Sequence, residues 1–93
     1  MSEQVQTVKF WLAPRLKLLA DHLGVIHYDR VYGKHRHPKL ARIRVTLYRL
    51  LHNAGYSFHD IGEVFQRDHS TVSGAVVRAG VDEELDKILK ELP

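Results

Sequence analysis

At 93 residues, 44% of them hydrophobic, the chain has material for one small domain that would bury roughly 60–65% of its unfolded surface, which excludes a two-domain reading. It has no cysteine, hence no disulfide framework and no thiolate zinc site, as suits a reducing cytoplasm. No apolar run approaches the roughly 18–20 residues that cross a bilayer, so neither secretion nor membrane insertion is expected.

Periodicity of three and four dominates the apolar pattern, which reads as all-α. Residues 1–10 are expected to be loose or a short helical segment, and residues 11–93 to form the domain. A first helix places Trp11, Leu12, Leu16, Leu19 and Leu23 on one side and stops at Gly24. Pro14 suits a first helical turn, so the helix begins near residue 12 or an earlier one kinks there. Residues 28–32 allow one helical turn, and residues 33–38, bounded by Gly33 and Pro38, read as an exposed basic loop. A long helix over about 39–54 turns Leu40, Ile43, Leu47, Leu50 and Leu51 inward and leaves Arg42, Arg44 and Arg49 for its other faces. Ser57 with Asp60 forms a variant capping box for a short helix over 57–65, buried through Ile61, Val64 and Phe65. Asp68 then caps the next helix, whose inward stripe is Val72, Ala75, Val76 and Ala79 and whose outward side carries His69, Ser70, Ser73, Gly74 and Val77. A final helix over about 82–91 buries Leu85, Ile88 and Leu89. The expected fold is a compact bundle of about five to six helices.

The formal charge is only +3, but it is unevenly spread. Arg30, Lys34, Arg36, Lys39, Arg42, Arg44 and Arg49 lie in one acid-free stretch with His35 and His37, a candidate phosphate-binding surface. The stretch 82–91 is acidic and is expected to face away from nucleic acid. Two helices joined as closely as those before and after residues 66–68 must cross steeply, as in a helix-turn-helix. The first turn of the second then carries Asp68, His69, Ser70 and Thr71, short polar groups able to reach base edges in a major groove. Taken alone, Asp68, Ser70 and Thr71 read first as caps of a surface helix; the adjoining helix and the basic loop reverse that balance toward DNA.

The run Ser57-Phe58-His59-Asp60-Ile61-Gly62-Glu63-Val64-Phe65-Gln66-Arg67-Asp68-His69-Ser70-Thr71-Val72 resembles the signature of the C-terminal DNA-binding domain of DnaA, the bacterial replication initiator. The resemblance covers roughly residues 14–80 and implies a Trp-repressor-like, DnaA C-terminal-like helix-turn-helix. It implies base contacts from Asp68, His69, Ser70 and Thr71 in the major groove and a minor-groove arginine from the basic loop. Arg36 is the first choice for that arginine, with Lys34 or His35 as alternatives, and Arg42 or Arg44 falls near the family's phosphate-contacting arginine. The candidate DNA-binding set is therefore Lys34, Arg36, Lys39, Arg42, Arg44, His59, Arg67, Asp68, His69, Ser70, Thr71 and Ser73.

The chain departs from the family in three ways. The usual Phe-Gly-Gly-Arg-Asp-His turn is shorter by one residue here, Ser70 replaces the usual first Thr, and Gly74 sits mid-helix, where it either permits close approach to DNA or another helix or is merely tolerated. No G-x-x-x-x-G-K-[ST] phosphate loop is present, so ATP hydrolysis is not expected. The chain is expected to be a free-standing, bacterial or phage-encoded reader domain, or else a fragment of an initiator.

Seven histidines do not follow metal-ligand spacing. No catalytic residue, metal or cofactor is expected. The resulting expectation is a cytoplasmic, nucleoid-associated protein that binds double-stranded DNA sequence-specifically in replication control or transcription regulation. Two alternatives stand beside it: a dimeric helix-turn-helix regulator with an unrelated site, whose homodimer face would use Trp11 with Val5 and Val8, and an interaction module that binds replication proteins and modulates an initiator.

Overall fold

The computed structural model describes residues 3–92. It contains α1 (Glu3–Leu23), a 3-10 turn (Tyr28–Tyr32), α2 (Pro38–Asn53), α3 (Phe58–Phe65), α4 (His69–Ala79) and α5 (Glu83–Leu89), with no strand among the described residues. The all-α expectation is met at this level.

α1 is longer than the sequence pattern indicates. It runs from Glu3 straight through Pro14, because Phe10, Ala13 and Pro14 all face outward, so the carbonyl that loses its partner at Pro14 is on the solvent side. Arg15 Nη1 donates to the Trp11 carbonyl at 2.8 Å, adding a bond beside the gap. The buried stripe is Val5, Val8, Leu12, Leu16 and Leu19. Trp11 lies one helical step aside from it, 38% exposed, with the Arg15 guanidinium 3.8 Å above its ring. The face expected to join Trp11 to Val5 and Val8 is thus corrected: both valines are core.

α2 packs against α1, α3, α4, α5 and the 3-10 turn, so it is the central element. Leu40, Ile43, Leu47 and Leu51 are buried along it. Its end is a Schellman turn, with Gly55 at φ 104°, Gly55 N–H on the His52 carbonyl and Tyr56 N–H on that of Leu51. Phe65, fully buried, anchors α3. The Tyr48 ring meets it edge-on at 4.9 Å and Tyr32 tilts against it at 5.2 Å, so the 3-10 turn, α2 and α3 share one aromatic cluster. Burial pushes the Tyr32 phenol up to about 12.

α5 is held by charge as well as by the fully buried Leu85. Arg42 of α2 donates to Asp82 at 2.8 and 3.1 Å and to Glu84 at 2.7 Å, and Glu84 also meets His22 of α1 at 2.8 Å. Ala79, expected inward on α4, is exposed at the helix end instead, one residue before Gly80 takes φ 67°.

Candidate nucleic-acid interface

α3 begins where the Ser57 hydroxyl accepts the Asp60 N–H at 3.1 Å. It ends at Gln66, which adopts the left-handed conformation at φ 56°, ψ 46°. The Arg67 N–H then turns back onto the Gly62 carbonyl at 2.8 Å. This fold-back depends on the missing side chain of Gly62, since a Cβ there would lie 2.4 Å from the Arg67 carbonyl oxygen. At Gly74, where the sequence leaves close approach and mere tolerance both open, the atoms nearest to an added Cβ belong to the Arg78 guanidinium, from 2.9 Å. The glycine that the packing requires is Gly62.

Three residues, Gln66 to Asp68, separate α3 from α4. Asp68 caps α4 by accepting the Ser70 N–H at 3.1 Å, and its bonds to Ser70 hold its carboxyl below the usual aspartate range. His69, Ser70 and Thr71 are exposed around that first turn, and His69 Nδ1 stands 3.6 Å from the Asp68 carboxylate. Ser73 is half-buried and donates to the Ser70 carbonyl at 3.2 Å. Val77, 80% exposed, and Arg78 continue the open face of α4. His59 projects from α3 near the same turn and approaches Glu63 at 3.7 Å.

The basic stretch separates into two groups with different work. Arg30, Lys34, Arg36 and Lys39 are exposed. Together with His27, His35 and His37, most of them line a groove of about 400 Å³ beside the N-terminus of α2, where His37 Nδ1 accepts the Lys39 N–H at 3.2 Å. The remaining arginines serve the protein itself. Arg44, expected on an outer face as a phosphate contact, is 7% exposed, and its guanidinium donates to the Val31, Arg30 and Gly33 carbonyls at 2.8, 3.0 and 3.1 Å. It caps the end of the 3-10 turn, whose carbonyls have no continuing helix to bond them. Burial and the nearby charge of Arg67 push the Arg44 pKa down. Arg49 caps the other end of α4 through the Val76 carbonyl at 2.8 Å. Arg42 is committed to Asp82 and Glu84, which raise its pKa. Of the residues expected to touch DNA, Arg44 is therefore withdrawn from the surface and Arg42 is already paired.

Arg67 joins the two halves of the candidate site: its Nη2 donates to the Gly33 carbonyl at 2.7 Å. The start of α4 and the basic loop are thus neighbours although more than thirty residues apart in sequence. Known protein families, characterised proteins and solved structures offer no match to the chain.

Two contributors lie outside the set of residues expected to touch DNA. Arg78 shares the outer face of α4 with Gly74 at a spacing of four, a signal visible in the helical period. Arg30, legible in the sequence as one cation of the basic stretch, lines the groove because the 3-10 turn folds beside residues 33–38. Among the described residues no cluster of His, Asp or Glu is arranged to hold a metal ion, and no helix is long and apolar enough to cross a membrane.

Proposed function

We propose that this protein binds double-stranded DNA sequence-specifically, with α3 and α4 as a helix-turn-helix. In this reading the first turn of α4 enters the major groove, where His69, Ser70 and Thr71 meet base edges, and the loop 33–38 directs Arg36 into the adjacent minor groove. The observation that carries it is the Arg67 to Gly33 bond at 2.7 Å, which sets an exposed polar helix start and an exposed cationic loop side by side. The resemblance of residues 57–72 to the DnaA C-terminal domain supports the same assignment, and a role in replication control or transcription follows from it.

The exposed cations Arg30, Lys34, Lys39 and Arg78 are the phosphate contacts of this reading, Arg36 being assigned to the minor groove and Arg42 and Arg44 being engaged internally. About four neutralised phosphates give a log–log salt slope near −3.6. The molecule measures about 28 Å across, so one copy covers roughly eight base pairs at 3.4 Å per step.

The test is fluorescence anisotropy of a labelled duplex carrying a DnaA-type box against a scrambled duplex, each over a salt series. Preference for the box with a slope near −3.6 supports the reading. Binding without preference keeps the DNA-binding surface and rejects that target; no binding to either duplex at low salt rejects the proposal. A protein-interaction module is the second reading, favoured by Phe10, which is 84% exposed beside the half-covered Trp11.

A further inference from the structure

We infer that Arg67 is a positioning residue rather than a DNA contact: it fixes the basic loop at a set offset from α4, so that minor-groove and major-groove contacts are made as one unit. The inference rests on the DNA-binding reading above and specifies how its two halves are coupled.

Arg67 is held at both ends. Its main chain is pinned to α3 by the 2.8 Å bond to the Gly62 carbonyl, and its own carbonyl oxygen occupies the space that a Gly62 side chain would need. Its side chain reaches the Gly33 carbonyl at 2.7 Å from a half-buried position. The same carbonyl accepts Arg44 Nη2 at 3.1 Å, and Arg44 also holds the carbonyls of Arg30 and Val31. The entry to the loop is therefore gripped from α2 by one guanidinium and from the α3–α4 turn by another. Lys34 to His37, which follow Gly33, carry exposed side chains, so the position of this loop is set at its root.

Part of the Arg67 guanidinium is already engaged inside the protein. One Nη is spent on Gly33, and the other has only a 3.5 Å contact with the Gln66 carbonyl. Neither Arg67 nor Arg44 forms an ion pair among the described residues. Two like charges converging on one neutral carbonyl repel each other, so the arrangement is sustained by directed hydrogen bonds, which the planar guanidinium fork holds in a more fixed geometry than the rotatable donors of an ammonium.

The experiment compares wild type, Arg67→Ala, Arg36→Ala and the double variant. Each is titrated over a salt series with box duplexes bearing A·T-rich or G·C-rich flanks, and amide hydrogen exchange is followed in the DNA-free proteins. With Arg67 as the coupling strut, Arg67→Ala leaves the salt slope unchanged and brings the flank preference to within about twofold of that of Arg36→Ala, and the double variant shows no further loss of that preference. In the free protein, exchange at residues 34–37 speeds up by about tenfold or more while α1 stays protected. A slope lowered by about 1 on every duplex with the flank preference intact makes Arg67 a phosphate contact and overturns the inference. Unchanged exchange in the loop overturns it equally. If wild type binds neither duplex, the DNA-binding reading has failed, and the exchange comparison alone decides whether Arg67 holds the loop. Should Arg67→Ala fail to fold, Arg67→Gln, which keeps a donor on a shorter stem, carries the same comparisons.

Discussion

Replacing Gly62 with alanine places a methyl 2.4 Å from the Arg67 carbonyl oxygen, a main-chain atom, and the two must separate by about 1 Å to reach ordinary contact at 3.4 Å. The turn cannot open that far without lengthening the 2.8 Å bond between Arg67 N–H and the Gly62 carbonyl. Overpacking of this severity costs about 3 kcal/mol, and a weakened hydrogen bond about 1 kcal/mol. The better helix propensity of alanine returns about 1 kcal/mol. The expected net loss is about 2–4 kcal/mol, or roughly 10–25 °C in Tm for a domain of this size. Gly74→Ala is the matched control: its methyl meets only the mobile tip of Arg78, so it should stabilise by about 0.5–1 kcal/mol. Urea and thermal unfolding followed by far-ultraviolet circular dichroism measure both. A Gly62→Ala variant as stable as wild type would refute the close approach of the turn to α3 and the joint geometry built on it.

Gln66→Gly should stabilise by about 1 kcal/mol, because Gln66 sits at φ 56°, where any side chain costs about 1–2 kcal/mol; an unchanged urea midpoint would argue against that backbone conformation. Arg44→Ala should lower stability by about 2–3 kcal/mol, leaving the buried Val31 carbonyl without a donor and those of Arg30 and Gly33 with one fewer, and Arg44→Lys should restore little of it; full stability in either variant would return Arg44 to the surface. Arg42 holds the Asp82 carboxyl below its ordinary value, so the stability this adds is present at neutral pH and is lost as pH falls from about 4 through the depressed value. Asp82→Asn, which retains a capping side chain, should therefore lose less stability than wild type between pH 7 and pH 3 by urea titration; equal losses would exclude Asp82 as a source. His69→Ala should weaken specific DNA binding by about 1–3 kcal/mol and spare the scrambled duplex, and equal weakening of both would remove His69 from base readout.

The helices of this fold are legible in the sequence because their signals are local. Ser57, Asp68 and Gly55 mark their boundaries through capping chemistry that needs only a few neighbours. The extent of α1 is not legible, because whether Pro14 breaks a helix depends on which side of it meets solvent, a tertiary fact. The same limit applies to charge. Arg36 and Arg44 read alike as cations in one basic stretch, yet one is exposed and the other caps the 3-10 turn from inside. Only the packing of Tyr28–Tyr32 against α2 distinguishes them. Gly62 and Gly74 are likewise equivalent as helix-interior glycines until the path of residues 66–68 is known.

The inward arginines give the molecule two responses to ionic strength. Arg44, Arg49 and Arg67 bind neutral carbonyls at short range, and buried contacts of that kind are weakly screened by dissolved ions. The outward cations face solvent, where binding to phosphate falls steeply as salt rises. On the proposed DNA-binding reading, concentrated salt should therefore strip bound nucleic acid from the protein while the contacts made by Arg44, Arg49 and Arg67 persist, so that a nucleic-acid-free preparation is reached without denaturant.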